Sequence, residues 1–492
     1  MKLKNTYILF LGVGLLFVTP SCNKYLDENP DNRTEINSVD KVAQLVTTAY
    51  PQYDYLTFAE AASDNAEDKG NGVGTISDLS SFPYFWQDVV GSGTGTAGNY
   101  WNGCYAGIAA ANQALEAIEK NNLGPEVLPY KGEAMVARAY AHFMLVTFFS
   151  KAYVPGGPND SPGIPYVTVP ETQVIKQYER ETVKITYEKI EKDLTEGMKL
   201  LSASAYKVPK YHFTPAAAHA FASRFYLFKA EWQKVIDHSN ATATGGDLAS
   251  NQRPINTTLR DMTLAEYQNA FTRSDQKSIL LLANQYANYQ RLTSPRYGYG
   301  QTLVTMFAAN RNVTGGKALA NKIIYYAVPN YTTYKYKEYF YRVSPNANTG
   351  FPYIMSPLLT IDETLMNRAE AYAQLGQNDN ALRDINSFYS VRVNGYSPSA
   401  DAVTLGKIAA FYPTITDVKA GLIRTILDAK KADFLQEGIR WFDILRHRLT
   451  VKHNFYDSFG VETFKELGPD DPRRVFQIPQ ETTLSGLTLN PR

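Results

Sequence analysis

The sequence predicts a mainly α-helical fold, with short helix pairs as a scaffold, long loop-rich insertions and a few short strands. Three observations carry this expectation. Apolar residues recur at three- and four-residue intervals through many segments. Two stretches carry the small-residue and turn-glycine spacing of tetratricopeptide helix pairs. Between Ala230 and Ile361 the helical periodicity gives way to Asn, Thr, Gly and Tyr, and the aromatic content argues for folded loops rather than disorder.

At the N-terminus, Lys2 and Lys4 precede an apolar run from Tyr7 to Val18, and small residues lead to Cys22. This is the pattern of a secretory signal peptide. The run is shorter than the roughly 20 residues a membrane-spanning helix needs. Cys22 follows Ser21 and reads as the lipidated cysteine of a bacterial lipoprotein, although Pro20 and the lack of Leu at position 19 depart from the commonest signal. The alternative is an ordinary secreted chain. Residues 1–21 are thus the expected signal, 22–40 a polar tether and 41–492 a single domain with a loop-rich insertion at about 240–355. The only other cysteine is Cys104, so no disulfide framework or cysteine-rich metal site is expected. With 44% apolar residues and net charge +1, the 492-residue chain can bury a large core and has no electrostatic case for nucleic acid.

Helical spacing predicts helices over 108–119, 133–149, 183–201, 215–229, 361–375, 378–391 and 418–436. The clearer tetratricopeptide-like pair is "RAEAYAQLGQNDNALRDI", with Ala369, Tyr372, Gly376, Ala381 and Ile385 at the repeat's intervals. Ser223, Tyr226, Ala230 and Val235 follow the pattern more loosely, and helices 108–119 and 133–149 make a further candidate pair, with 183–201 beside the second.

Several strings, in order, carry a resemblance. They are "KYLDENP" after Cys22, "YWNGCYAGIAAANQALEAI", "GEAMVARAYAHFML", "EGIRWFDILRH" and "RVFQIPQETTLSGLTLNP". Together they resemble the SusD/RagB family of Bacteroidetes lipoproteins over nearly the whole mature chain. The family usually has Glu-Arg and Glu-Leu upstream of its Glu-Gly, where this chain has Ala429-Lys430 and Asp433-Phe434, which implies rewired ion pairs. The resemblance implies a cell-surface protein anchored to the outer membrane by its lipid. Such a protein delivers glycan, or in some members peptide, to a SusC-like TonB-dependent transporter.

Enzyme signatures are missing: no His-Glu-x-x-His, no Gly-x-Ser-x-Gly and no P-loop occurs. No catalytic residue, metal or cofactor is expected, although a hydrolase with two carboxylates cannot be screened for in sequence. Gly93, Gly95 and Gly98 satisfy Gly-x-Gly-x-x-Gly, but no βαβ pattern surrounds them, and they read as a flexible loop. Trp101 and Asn102 read as packing and capping at a helix start. Arg440, Trp441, Asp443 and Arg446 read as a packed helix whose charges pair locally, Glu437 with Arg440 and Asp443 with Arg446 or His447.

Binding chemistry is sought among the aromatics, because sugar C–H faces stack on rings while neighbouring polar groups bond the hydroxyls. One candidate cluster is "SSFPYFWQD", where Tyr84 and Trp86 share a side if extended, with Asp64, Asn65, Asp68 and Lys69 upstream. The other is "NYQRLTSPRYGYGQ", where Tyr297 and Tyr299 alternate with glycines that leave ring faces open, near Arg296 and Gln301. By the resemblance, the family builds its glycan site from these two regions. The run "YYAVPNYTTYKYKEYFYRV" reads as structural strands or a hairpin with Lys335, Lys337 and Arg342 on the solvent side. Three functions follow: glycan capture first, then peptide capture on the same fold, and last a surface hydrolase.

Overall fold

Side-chain oxygens start most of the helices. In the computed structural model, which describes residues 35–492 apart from 174, 293, 322 and 323, α1 (Val39–Val46) opens on Ser38, whose hydroxyl accepts from the Lys41 N–H. The last residues of the expected tether are therefore helical. The signal peptide, Cys22 and the rest of the tether lie outside the described residues, and Asn37–Arg492 form one compact unit.

After α2 (Leu56–Ala62) and α3 (Asp78–Tyr84), the antiparallel pair α4 (Ala97–Asn121) and α5 (Leu128–Phe149) packs with α6 (Val183–Met198) beside α5. Residues 132–149 of α5 are all buried, so this helix is enclosed around its circumference, with Glu133, Arg138 and His142 among its buried polar residues. α7 (Pro215–Lys229) and α8 (Trp232–Ala241) form the next pair, with Ala230 taking the left-handed turn at φ 56°. The central stretch carries α9 (Leu264–Phe271) and α10 (Gln301–Thr305). The scaffold resumes with α11 (Ile361–Gln374) and α12 (Asn378–Ser390), joined through Gly376 at φ 72°. It ends with α13 (Pro398–Asp401), α14 (Leu405–Phe411), α15 (Val418–Asp433) and α16 (Arg440–Arg446).

The strands are short and antiparallel. β1 (Glu67–Asp68) pairs with β3 (Tyr297–Gly298), and β7 (Gly350–Thr360) lies between β2 (Ile279–Tyr286) and β6 (Tyr339–Arg342). β4 (Ile324–Ala327) pairs with β5 (Asn330–Thr332), and β8 (Val451–Tyr456) with β9 (Glu462–Leu467). The tyrosine-rich run thus holds a hairpin and an edge strand. Its Lys335 is not on the solvent side, however: it is buried and donates to Glu437 Oε1 at 2.6 Å.

Buried ion pairs staple the helices. Arg138 grips Asp193 between α5 and α6 at 2.7 and 2.8 Å, and Arg368 grips Asp384 between α11 and α12 at 2.7 and 2.9 Å. Arg224 pairs with Glu363, and Arg446 with both Glu370 and Asp443. Removing one partner of such a pair costs about 3–5 kcal/mol, because the other charge stays buried. The expected local pair Asp443–Arg446 forms, while the other, Glu437–Arg440, is replaced by long-range pairs. Arg440 reaches Asp64, while Glu437 takes Lys335. Lys430 and Asp433, at the departures from the family pattern, pair with Asp443 and Arg392. α4 begins at Ala97 with Thr96 as its cap, so Asn102 is an exposed second-turn residue rather than a cap.

Candidate functional site

The two candidate clusters, separated by more than two hundred positions in the chain, meet in space. Asp68 lies opposite Tyr297 in the β1–β3 ladder, and Glu67 opposite Gly298. The Arg296 guanidinium donates to both oxygens of the buried Asp68 carboxylate at 2.7 and 2.8 Å. The N–H groups of Gly70 and Tyr456 donate to the same carboxylate, each at 2.9 Å.

The rings of these clusters are largely taken up by one another. Residues 78–84 form a helix, not an extended strand, because Ser77 caps them, and Trp86 leaves it at φ 53°. Tyr84 is fully buried and stacks on Tyr297 at 4.7 Å. Its ring is also parallel to His453 of β8 at 4.1 Å, and Trp86 is parallel to the same imidazole at 4.7 Å. Two rings that close and that parallel must cover opposite faces, so the order is Tyr297, Tyr84, His453, Trp86. The Tyr84 hydroxyl accepts from the Asp68 N–H and donates to the Asn454 carbonyl, and Trp86 Nε1 donates to the Ala62 carbonyl. His453 faces carbonyls with both nitrogens, at 2.7 Å from Tyr84 and 2.8 Å from Ser63. Burial pushes its pKa down, against those two acceptors, which favour the charged ring.

The glycines also act differently from the expected freeing of ring faces. A side chain at Gly300 would meet the Glu67 carboxylate, whose Oε1 accepts the Thr302 N–H at 2.8 Å, and one at Gly298 would meet Pro295. They permit close packing. Gln301 is exposed, and its Oε1 accepts from the Tyr331 hydroxyl at 2.8 Å. Asp64 is held by Arg440 at 2.8 and 3.0 Å and by Lys431 at 2.9 Å. Burial would raise its carboxyl pKa, but the two cations hold it well below the usual range.

Beside the stack lies a cleft of about 450 Å³ whose polar atoms are incompletely partnered. Thr57, Glu60 and Ala61 line it from one face of α2, as their spacing of three and four requires. Asn65, Tyr289, Tyr297, Tyr299, Tyr331 and Gln436 complete the walls. Thr57 Oγ1, Asn65 Oδ1 and the Tyr299 hydroxyl are buried without a hydrogen-bond partner. Such groups normally find one, and each unsatisfied atom costs about 1–3 kcal/mol. Glu60 Oε1 accepts the Gly438 N–H at 2.6 Å, Oε2 accepts from Asn65 at 3.1 Å, and burial pushes its carboxyl up to about 7. The cleft continues past Tyr289, Leu292 and Gln436 to Gln290, whose Oε1 is likewise unpartnered.

Of the sequence candidates, Asn65, Tyr297 and Tyr299 line this cleft, while Asp64, Asp68, Tyr84, Trp86, Arg296 and Gln301 are not among its lining residues. Sequence reasoning missed Thr57, Glu60, Gln436 and the strand residues His453 and Asn454. Only the three- and four-residue spacing of Thr57, Glu60 and Ala61 signals a shared face in the sequence. Among the described residues, no group of three or more His, Cys, Asp or Glu side chains is arranged to hold a metal ion. None of their helices is long and apolar enough to cross a membrane.

The mainly α-helical fold matches solved SusD-like structures. The family described as "Starch-binding associating with outer membrane" matches residues 24–227, and the SusD family matches residues 266–487. The chain belongs to the SusD/RagB family. A SusD superfamily protein from Bacteroides vulgatus superposes with TM-score 0.64 at 18% identity, covering 92% of this chain and 99% of that one. A SusD-like carbohydrate binding protein from the same species gives 0.61 at 16% identity, covering 91% and 96%. A SusD superfamily protein from Bacteroides thetaiotaomicron gives 0.60 at 18% identity, covering 92% and 100%. No curated protein matches the chain.

Proposed function

We propose that this protein is a lipid-anchored cell-surface carrier that holds a glycan in the α2 cleft and passes it, without catalysis, to a SusC-like TonB-dependent transporter of the outer membrane. The observation that carries the reading is the set of buried, unpartnered hydroxyl and amide atoms beside the tyrosine walls. A sugar supplies both complements: C–H faces for the rings, and hydroxyls that donate to Asn65 Oδ1 and accept from Thr57 and Tyr299. Asn65, Tyr297 and Tyr299 contact the ligand in this account. Asp68, Tyr84, Trp86 and Arg296 hold the wall, with Asp64 and Gln301 flanking it.

Family membership and the carbohydrate-binding description of one structural relative support the ligand class. The signal sequence and Cys22 support the anchor. A non-catalytic role is supported by the cleft's acids: Glu60 is the single carboxylate among its described lining residues, and two-acid glycoside hydrolysis needs a pair. A glycan array run beside a peptide library, with purified protein, tests the ligand. Binding to one glycan class is the expected result, and binding confined to peptides would overturn it. A micromolar to millimolar affinity fits a carrier that must release its cargo.

A further inference from the structure

We propose that a second cavity, between α9, the segment around Leu319 and α15, binds a carboxylate carried on an apolar body. This is independent of the glycan reading. The cavity shares no lining residue with the part of the cleft lined by Thr57, Glu60 and Tyr299. Leu259, Phe271, Phe307, Leu319 and Tyr389 supply apolar wall, and among the charged lining residues Arg260 is paired with Asp261.

Set into those walls is Arg253, only 4% exposed. Its guanidinium lies 3.9 Å over the Phe271 ring, and its Nη1 is 3.7 Å from Glu437, but its Nη2 is buried with no hydrogen-bond partner among the described residues. The neighbouring cations are already engaged. Arg392 donates to Asp362, to both oxygens of Asp433 and to Gln252, and Lys335 to Glu437 and the Asp433 carbonyl. Asp433 is the one acid lining the cavity, and Arg392 occupies its carboxylate.

The vacant hydrogen-bonding capacity is therefore that of a buried guanidinium whose acid, Glu437, lies 3.7 Å away and is shared with Lys335. An anionic acceptor meets it best, since hydrogen bonds between charged groups are roughly twice as strong as neutral ones. One free Nη2 suits a monoanionic carboxylate, and the walls require the rest of the ligand to be apolar. Free aromatic acids and peptide ends with an apolar last residue both present this chemistry.

The test is calorimetric titration of the purified full-length protein with 3-phenylpropionate and its neutral amide. The acid is expected to bind saturably, at least tenfold more tightly than the amide. Arg253→Met is expected to erase that preference, and Ala320→Phe, which fills the wall and keeps Arg253, to weaken the acid at least tenfold. The acid-to-amide comparison in the unaltered protein stands even where a variant fails to fold. Equal affinity for acid and amide, no binding of either, or an acid preference that survives in folded Arg253→Met would overturn the proposal. Glycyl-phenylalanine and its C-terminal amide separate the sources. Carboxylate-dependent binding of the dipeptide identifies peptide ends, and binding of the free acid alone identifies small aromatic acids, each in support of the site.

Discussion

The ring stack of Tyr297, Tyr84, His453 and Trp86 and the cleft beside it use the same residue types, yet differ in how fully those residues are partnered. In the stack, the inner rings are covered on both faces, and the Tyr84 hydroxyl and the indole N–H have partners. In the cleft, Thr57, Asn65 and Tyr299 each keep a buried polar atom without one. A saturated cluster contributes stability. An unsaturated one gives some up, and a binding site is where a fold retains such a cost.

The comparison is broken most severely at the stack. Tyr84→Ala or Trp86→Ala is expected to cost about 3–5 kcal/mol in denaturant unfolding, the range for truncating a large buried aromatic. Arg296→Met, which strands the Asp68 carboxylate, is expected to cost about 3 kcal/mol by the same measurement. Equal losses from Tyr299→Phe would erase the distinction between the regions.

The acid at the cleft floor gives a smaller effect with a definite sign. Glu60 is raised from 4.5 to about 7 by burial, so the folded state holds its proton more tightly than the unfolded chain does. The stability this gives is fully present below about pH 4.5 and is lost as pH rises through 7, by up to about 1.4 kcal/mol per pH unit. Asp54, also raised to about 7 by burial, adds a loss of the same sign. Thermal unfolding scanned from pH 5 to pH 8 is expected to show a shallower decline in Glu60→Gln than in the parent protein. The smallest expected change is at the unpartnered atoms. Thr57→Val and Tyr299→Phe are expected to leave unfolding unchanged or to stabilise by about 1 kcal/mol, because each removes an unsatisfied hydroxyl.

Much of the scaffold was legible in the sequence, because a helix face is written in three- and four-residue spacing and a helix turn in a glycine such as Gly376. The two candidate regions were legible, and they meet in the β1–β3 ladder, but the partners of their individual side chains were not. Nothing near Tyr84 or Trp86 in sequence shows that His453, far along the chain, will sit between their rings. The alternation of Tyr297 and Tyr299 with Gly298 and Gly300 looked like exposed rings, whereas the missing side chains admit Pro295 and Glu67. Thr57 and Glu60 lie in a short helix whose seven residues are all buried, so no polar stripe marked them. Long-range partners decided each of these outcomes, and local pattern carries little of that information.

The central claim is that the cleft's unpartnered atoms are kept for a ligand. It is tested most directly by combining Thr57→Val with Tyr299→Phe and measuring, on one preparation, thermal unfolding and affinity for the glycan that the unaltered protein selects from the array. The account expects affinity to fall at least tenfold while the unfolding temperature stays level or rises. Affinity retained by the folded double variant would contradict it.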